Sequence, residues 1–235
     1  MTNSDTYQAA LEYARRGWSL VALHWITAAG QCSCGAAGCK SAGKHPIDKG
    51  WQRLERGDTP ARWATPAGEV CNIGIRTGTP SGHWVLDFDP ADADYPGLDL
   101  AKRLEVAGLE PHVRTGGGGL HFRFALEPGQ IIRNRQSAGG GAGRTHDLPP
   151  GWDVRGEGGQ VVAPPSVSGK GAYVELDDGM HVSPAWLLEM VAPPDRMIPD
   201  AVRAVGGPTG VGGPVADTAF GVSSHQAERV QAYCT

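Results

Sequence analysis

The sequence has little that would carry it into or across a membrane. No apolar run approaches the ~20 residues needed to span a bilayer. The N-terminus, Met1 to Tyr7, is polar and lacks the basic-then-apolar order of a signal peptide. These absences lead us to expect a soluble, cytoplasmic protein with no membrane partner. An excess of positive charge is also missing. The formal net charge is −4, which argues against a uniformly cationic coat for nucleic acid but not against a local basic groove. Cysteine is scarce and odd in number, with five residues. In a chain without a secretion signal that points away from a disulfide framework. No internal repeat is visible.

What is present is a chain of 235 residues, 40% hydrophobic, with 35 glycines. That length suits one large domain or two small modules sharing a core. Much of the glycine falls in segments 116–119, 139–143 and 206–213, which read as turns or mobile loops. Tyr7 to Arg16 reads as a short amphipathic helix with Ala10, Leu11 and Ala14 as its apolar stripe. Trp18 to Trp25 reads as a buried strand, and segment 50–70, with Trp51 and Trp63, as helix and loop. Ile73 to Thr77 and Trp84 to Phe88 read as two strands of one layer, joined by the turn Thr77-Gly78-Thr79-Pro80-Ser81-Gly82.

A helix is expected over Leu98 to Ala107, with Leu98, Ala101, Leu104 and Val106 on or near one face. Val113, the glycine turn and Leu120 to Phe124 suggest a hairpin, and Trp152 to Arg155 with Gln160 to Ala163 suggest another. A last strand at Tyr173 to Leu176 and a helix at Pro184 to Val191 follow. Residues 192–222 have the composition of a linker. Ser223 to Tyr233 resumes a helical pattern, read as the start of a helical segment over 223–235. The expectation is mixed α and β, with the later strands forming one antiparallel-leaning sheet.

The strongest chemical signal is Trp84-Val85-Leu86-Asp87-Phe88-Asp89. Two acids at i and i+2 on a strand share a face, roughly 7 Å apart at the α-carbons. Paired carboxylates suit hard cations such as Mg²⁺ or Mn²⁺. An isolated Asp-x-Asp is equally a solvated strand end. Asp153 and Arg155 form a second such pair, and His121 and Arg123 a third, with Leu120, Phe122 and Phe124 on the opposite face. A one-sided sheet explains that alternation but not the choice of Asp, His and Arg. A phosphoryl-transfer site does. Three acids could share two metals roughly 3.5–4 Å apart, with Arg155 and His121 meeting a triphosphate. Arg114 and the glycine turn 116–119 could add charge and free N–H groups, although the turn by itself reads equally as an ordinary hairpin loop.

Cys32, Cys34, Cys39 and His45 place three thiols and an imidazole in one short loop, 30–48. These ligands suit tetrahedral Zn²⁺, with Cys71 and His24 as reserve fourth ligands. The alternatives are free surface thiols, or His45 as a nucleic-acid contact. Lys40, Lys44, Lys49, Arg53 and Arg56 form a candidate patch for template phosphates, or else a solvated basic face.

Taken in order, these motifs resemble the bifunctional primase-polymerase domain of the archaeo-eukaryotic primase superfamily, over roughly residues 8–191. The resemblance rests on Gly17-Trp18, Gly43-Lys44-His45-Pro46 and Trp51, then Asn72 to Gly78 leading into Val85 to Asp89. It continues through Thr115 to Phe122 and ends on Asp153 to Ser166. It implies an α+β fold of two modules, an N-terminal α/β unit and an RNA-recognition-like antiparallel sheet, with the active site in the cleft between them. It implies metal-binding, catalytic acids at Asp87, Asp89 and Asp153. Nucleotide contacts are expected at His121, Arg155, Arg114, Gly119 and Arg76. Gly119 stands where the family often has Ser.

The implied activity is template-directed nucleotidyl transfer with two Mg²⁺ or Mn²⁺ ions, making and extending primers on single-stranded DNA from NTPs, dNTPs or both. A downstream helicase or helical domain is implied as partner, so we expect the chain to be part of a longer protein. The rival readings are a non-catalytic replication-initiator or DNA-binding module of the same fold, and a metal-dependent nuclease.

Overall fold

The computed structural model describes residues 3–53, 57–64, 70–90, 95–137 and 148–192. The expected linker, the C-terminal helical segment, the glycines at 139–143 and 206–213, and Arg56 lie outside these residues. Among the described residues, no helix is long and apolar enough to cross a membrane.

The chain opens with helix α1 (Asn3–Arg15). Its buried stripe is Thr6, Ala10 and Tyr13, the i, i+4, i+7 spacing of a helix facing a core. Leu11, expected on that stripe, is only half-buried. The helix packs on a three-stranded antiparallel sheet ordered β1 (Leu20–Leu23), β2 (Asn72–Arg76), β7 (Gln160–Ala163). Every residue of β1 and β2 is buried, because this sheet is covered on both faces. One face meets Ala10, Tyr13 and Trp18. The other carries Val21, Leu23 and Val162, packed with Val113 and Tyr173. A doubly covered strand needs a continuous apolar run, which Leu-Val-Ala-Leu supplies.

The second sheet has five antiparallel strands. Its order is β10 (Val174–Glu175), β4 (Val113–Arg114), β5 (Leu120–Ala125), β3 (His83–Phe88), β6 (Trp152–Arg155). One face is the main core. Trp84, Leu86, Phe88, Phe122, Phe124, Trp152 and Val154 meet helices α2 (Tyr95–Val106) and α3 (Ala185–Val191) there. The expected hairpin between β4 and β5 is present, with Val113 opposite His121. Short 3-10 turns occupy Trp51–Arg53 and Pro60–Trp63. A small hairpin pairs β8 (Val167–Ser168) with β9 (Gly171–Ala172).

Three expectations fail. Strands β2 and β3 do not share a layer, β6 and β7 are not a hairpin, and the later strands do not form one sheet. Instead the chain crosses between the two sheets three times, at Thr77–Gly82, at Gly156–Gly159 and, through the β8–β9 hairpin, between β7 and β10. Thr77 N–H donates to the Gly159 carbonyl at 3.0 Å and its hydroxyl to the Gly156 carbonyl at 2.7 Å, so the first two crossings brace each other. Strand periodicity reports which face is apolar but not which strand is the partner. Helix α2 also departs from expectation. Leu100 and Leu104 are buried, whereas Leu98 and Val106 are exposed.

Polar groups are buried behind the five-stranded sheet. His83 is 1% exposed, packs on Trp18 and approaches the Ser81 carbonyl with Nδ1 at 3.1 Å. His112 is 1% exposed, and its Nδ1 accepts the Arg123 N–H at 3.0 Å. Its Nε2 lies 3.8 Å from Asp177 Oδ1. Arg123, read from the sequence as part of a polar strand face, is buried in an ion pair with Glu175 and lies over the Trp18 ring. It belongs to this structural network.

Candidate active site

Strand β3 has two environments on one face. Val85 is covered by the core that joins α1 to the three-stranded sheet. Asp87, two residues on, meets a cavity of about 500 Å³. Pairing decides what faces Asp87 there. His121 on β5 and Asp153 on β6 are its direct partners across the two neighbouring strands. The backbone therefore sets a carboxylate, a carboxylate and an imidazole in one row. Asp89 lies just past the strand end, held by its N–H to the Gly151 carbonyl at 2.8 Å, and also lines the cavity.

Arg155 ties the acids together. Its Nη2 donates to Asp153 Oδ2 at 2.7 Å and to Asp87 Oδ2 at 3.3 Å, and its Nε to Asp87 Oδ2 at 3.4 Å. The Ser137 N–H donates to the other Asp153 oxygen at 2.9 Å. Asp87 and Asp153 retain 24% side-chain exposure each, so both carboxylates can reach a ligand in the cavity. Their oxygens form a hard donor set of the kind that divalent Mg²⁺ or Mn²⁺ takes.

His121 is 4% exposed, with Nε2 3.6 Å from Asp87 Oδ1. Burial lowers its pKa, and Arg155 and Arg123 push the same way against the raising effect of Asp87. The imidazole is therefore held neutral. The sequence reading had it meet a triphosphate, and this environment favours doing so by hydrogen bonding rather than by charge. Gly119 is tightly placed, since a Cβ there would lie 2.6 Å from the Phe88 carbonyl oxygen. That contact leaves no room for the family's Ser without a shift of β3.

Lys44, read as a template contact, lines this cavity with the acids. Thr115 and Gly117, from the motif with the glycine turn, line it too, and so do Ser168, Lys170 and Tyr173, which were not singled out from the sequence. Lys170 runs alongside Gly117. Burial raises the Tyr173 pKa, as does Asp87, so its hydroxyl keeps its proton. Among the described residues, Arg76, Arg114, Lys49 and Arg53 are not part of the cavity wall. Arg76 is buried and donates to the Gln52 carbonyl at 3.0 Å. Arg114, Lys49 and Arg53 are exposed.

The cysteine loop forms a second cluster. One ligand atom from each of Cys32, Cys34, Cys39 and His45 lies within 4.8 Å of all the others. His45 Nε2 is 3.5 Å from Cys32 Sγ and 3.6 Å from Cys39 Sγ. Tetrahedral Zn²⁺, with bonds of about 2.3 Å to sulfur and about 2.0–2.1 Å to nitrogen, sets S and N roughly 3.5 Å apart. The four residues fit zinc. Burial pushes the Cys32 thiol up, but hydrogen bonds from the backbone N–H groups of Cys34 and Gly43 outweigh it and bring the thiol to about 6, near the thiolate a metal requires. The reserve ligands stand outside the cluster. His24 Nδ1 is 2.8 Å from Ser33 Oγ, and burial drives the Cys71 thiol up to about 11.

A family model described as the N-terminal domain of bifunctional DNA primase/polymerase (Prim-Pol) matches residues 10–200. No curated protein matches the chain.

Proposed function

Because the chain belongs to the bifunctional DNA primase/polymerase (Prim-Pol) family, we propose that it makes and extends primers on single-stranded DNA by template-directed nucleotidyl transfer at the Asp87–Asp153 cavity. Membership implies DNA primase/polymerase activity in general. The observation that carries the finer reading is the pairing of Asp87 with Asp153 across adjacent strands, facing a cavity that His121, Arg155, Lys44 and Lys170 also line. Acids and cations lining one cavity match a nucleoside triphosphate and its metals. In this reading the three-stranded sheet with α1 and the five-stranded sheet are the two modules, and residues 1–191 form the catalytic domain.

Asp87, Asp89 and Asp153 would hold two divalent cations, which when bound lower the pKa of an attacking hydroxyl and offset charge on a leaving pyrophosphate. Arg155 orients both carboxylates and offers guanidinium N–H groups to phosphate. His121 donates to the nucleotide as a neutral imidazole. Lys49 and Arg53 remain exposed for template phosphates. The experiment is incubation with single-stranded template, Mn²⁺ or Mg²⁺ and labelled NTPs or dNTPs. Incorporation supports the proposal. Template cleavage would favour the nuclease, and binding without chemistry the initiator module.

Two further outcomes are expected. Arg155→Ala should weaken nucleotide binding about tenfold, the order of one charge-assisted contact, and more than it weakens template binding. His121→Ala should act in the same direction. Fluorescence titration with each ligand reads this, and equal losses for nucleotide and DNA would overturn the assignment. Freshly purified protein should also hold about one zinc per chain. Cys34→Ser or Cys39→Ser should release it, and metal analysis without zinc would remove that site.

A further inference from the structure

The metal cluster and the catalytic cavity are one residue apart. His45 belongs to the Cys32, Cys34, Cys39 group, and Lys44 lines the cavity that holds Asp87 and Asp153. The backbone between them is tied at each carbonyl. Ala42 accepts from the Gly169 N–H at 3.0 Å, and Gly43 from Asn72 Nδ2 at 2.8 Å. Lys44 accepts from Gln160 Nε2 at 3.1 Å and His45 from the His24 N–H at 2.9 Å. These partners stand on or beside β1, β2, β7 and the β8–β9 hairpin, whose Lys170 lines the same cavity. Gly43 is wedged in with φ at +73°, where a Cβ would lie 2.7 Å from the Val167 carbonyl oxygen. The segment has one seat.

Packing alone does not hold that seat. Between Leu23 and Trp63, Cys32 is the only buried hydrophobic side chain among the described residues. With only Ile47 and Trp51 packing in part on the cores beside it, the segment gains little against its ordering entropy, and a metal on its four ligands would supply further order.

We propose that the Cys32, Cys34, Cys39, His45 metal site is a positioning device for Lys44, and that Lys44 contacts the polyphosphate of the incoming nucleotide rather than the template. This rests on the proposed primase-polymerase reading of the cavity. The metal fixes the His45 end of the segment, and the hydrogen bonds to Asn72 and Gln160 fix its sheet side. Lys44 is thereby held at the wall of the cavity that the acids also line. Loss of the metal frees the segment and disperses that charge, while the two sheets keep their own cores.

The test measures binding of a non-hydrolysable nucleoside triphosphate and, separately, of single-stranded DNA. The protein is used as purified, after treatment and removal of a zinc-selective chelator, and after zinc is returned. The expected result is a loss of nucleotide affinity of about tenfold on chelation, the order of one charge-assisted contact, with template affinity held and recovery on adding zinc. Lys44→Ala should show the same loss, and chelating that variant should add nothing, since both changes remove one interaction. Lys44→Arg should keep most of the affinity.

Unchanged nucleotide binding after chelation overturns the coupling. Multiplying losses in chelated Lys44→Ala do so too, as does a matching fall in template binding. Collapse of the far-UV spectrum on chelation would make the metal a global staple and equally overturn it. No nucleotide binding by untreated protein would refute the proposed function itself and this inference with it, whereas binding indifferent to zinc refutes only the coupling.

Discussion

Asp87→Ala is expected to lower nucleotide incorporation by at least ~10²–10³-fold, the scale on which one preorganised charge-stabilising group acts, while leaving the fold intact. Asp87 sits on the cavity face of β3, and the strand is anchored through Trp84, Leu86 and Phe88 on the other face. Removing the carboxylate therefore opens no core cavity, and Arg155 keeps its 2.7 Å contact with Asp153. Asp153→Ala should be as inactive and slightly less stable, because the Ser137 N–H loses its acceptor. Asp89→Ala keeps the backbone bond to Gly151 and should fold normally. Incorporation on a primed template, together with thermal melting, reads all three. A folded variant with full activity would remove its residue from the catalytic set.

Stability should fall by roughly 4 kcal/mol between pH 7.5 and pH 5 through His83 and His112 alone, taking each pKa unit as about 1.4 kcal/mol. Burial lowers His83 to about 4 and His112 to about 3 from an ordinary value of 6.5. In both the folded pKa is depressed, so the unfolded chain binds protons more readily. The stabilisation from keeping these rings neutral is fully present above pH 6.5, is lost progressively as pH falls below it, and stops falling only once pH has passed through 4 and 3. Partners of His112 reinforce the sign, since its Nδ1 must accept from the Arg123 N–H and His181 crowds the ring, whereas at His83 burial outweighs the Ser81 carbonyl, which favours the proton. With a typical domain stable by about 5–15 kcal/mol, denaturant midpoints should drop visibly at pH 5. His83→Gln should flatten the profile. Equal stability at both pH values would show that the rings are not held neutral.

The strands β3 and β5 were legible because their alternation is strict. Trp84, Leu86, Phe122 and Phe124 mark one face, and Asp87 and His121 the other. Alternation fixes faces without naming neighbours, which is why the sheet boundaries were misread. In retrospect β6 and β7 carried a distinguishing signal. Trp-Asp-Val-Arg alternates, as a sheet with one open face requires, whereas Val-Val-Ala is continuous, as a doubly covered strand requires. The exposed Leu98 and Val106 on α2 show the opposite limit, since an apolar residue at helical spacing need not be buried.

The cluster of Cys32, Cys34, Cys39 and His45 was legible for a different reason, because the chain cannot separate three thiols and an imidazole in one loop far. Lys170 and Tyr173 were not legible as cavity residues. Each is an ordinary residue in a short hairpin, brought to the acids only by tertiary packing of that hairpin against the glycine turn. Arg76 erred in the other direction. It stands in a motif-bearing strand, yet its guanidinium braces the Gln52 carbonyl within the fold. Charge type indicates what a side chain can bind, and burial decides whether it is available.

The repeated crossing between the sheets also dictates the order in which the molecule can be built. Arg155 and Asp87 are 68 residues apart along the chain, Thr77 and Gly156 are 79 apart, and Ile73 and Ser166 are 93 apart. Contacts of such separation form late and slow the search, because the loops between them must be closed before any contact rewards the closure. β3 can zip to β5 early, but the acid pair is incomplete until β6 arrives, and β2 has an unprotected edge until β7 follows it. A nascent chain emerging from the ribosome thus carries Asp87 for a long stretch of synthesis without Asp153. The half-site becomes a site only when the last strands lock both sheets together.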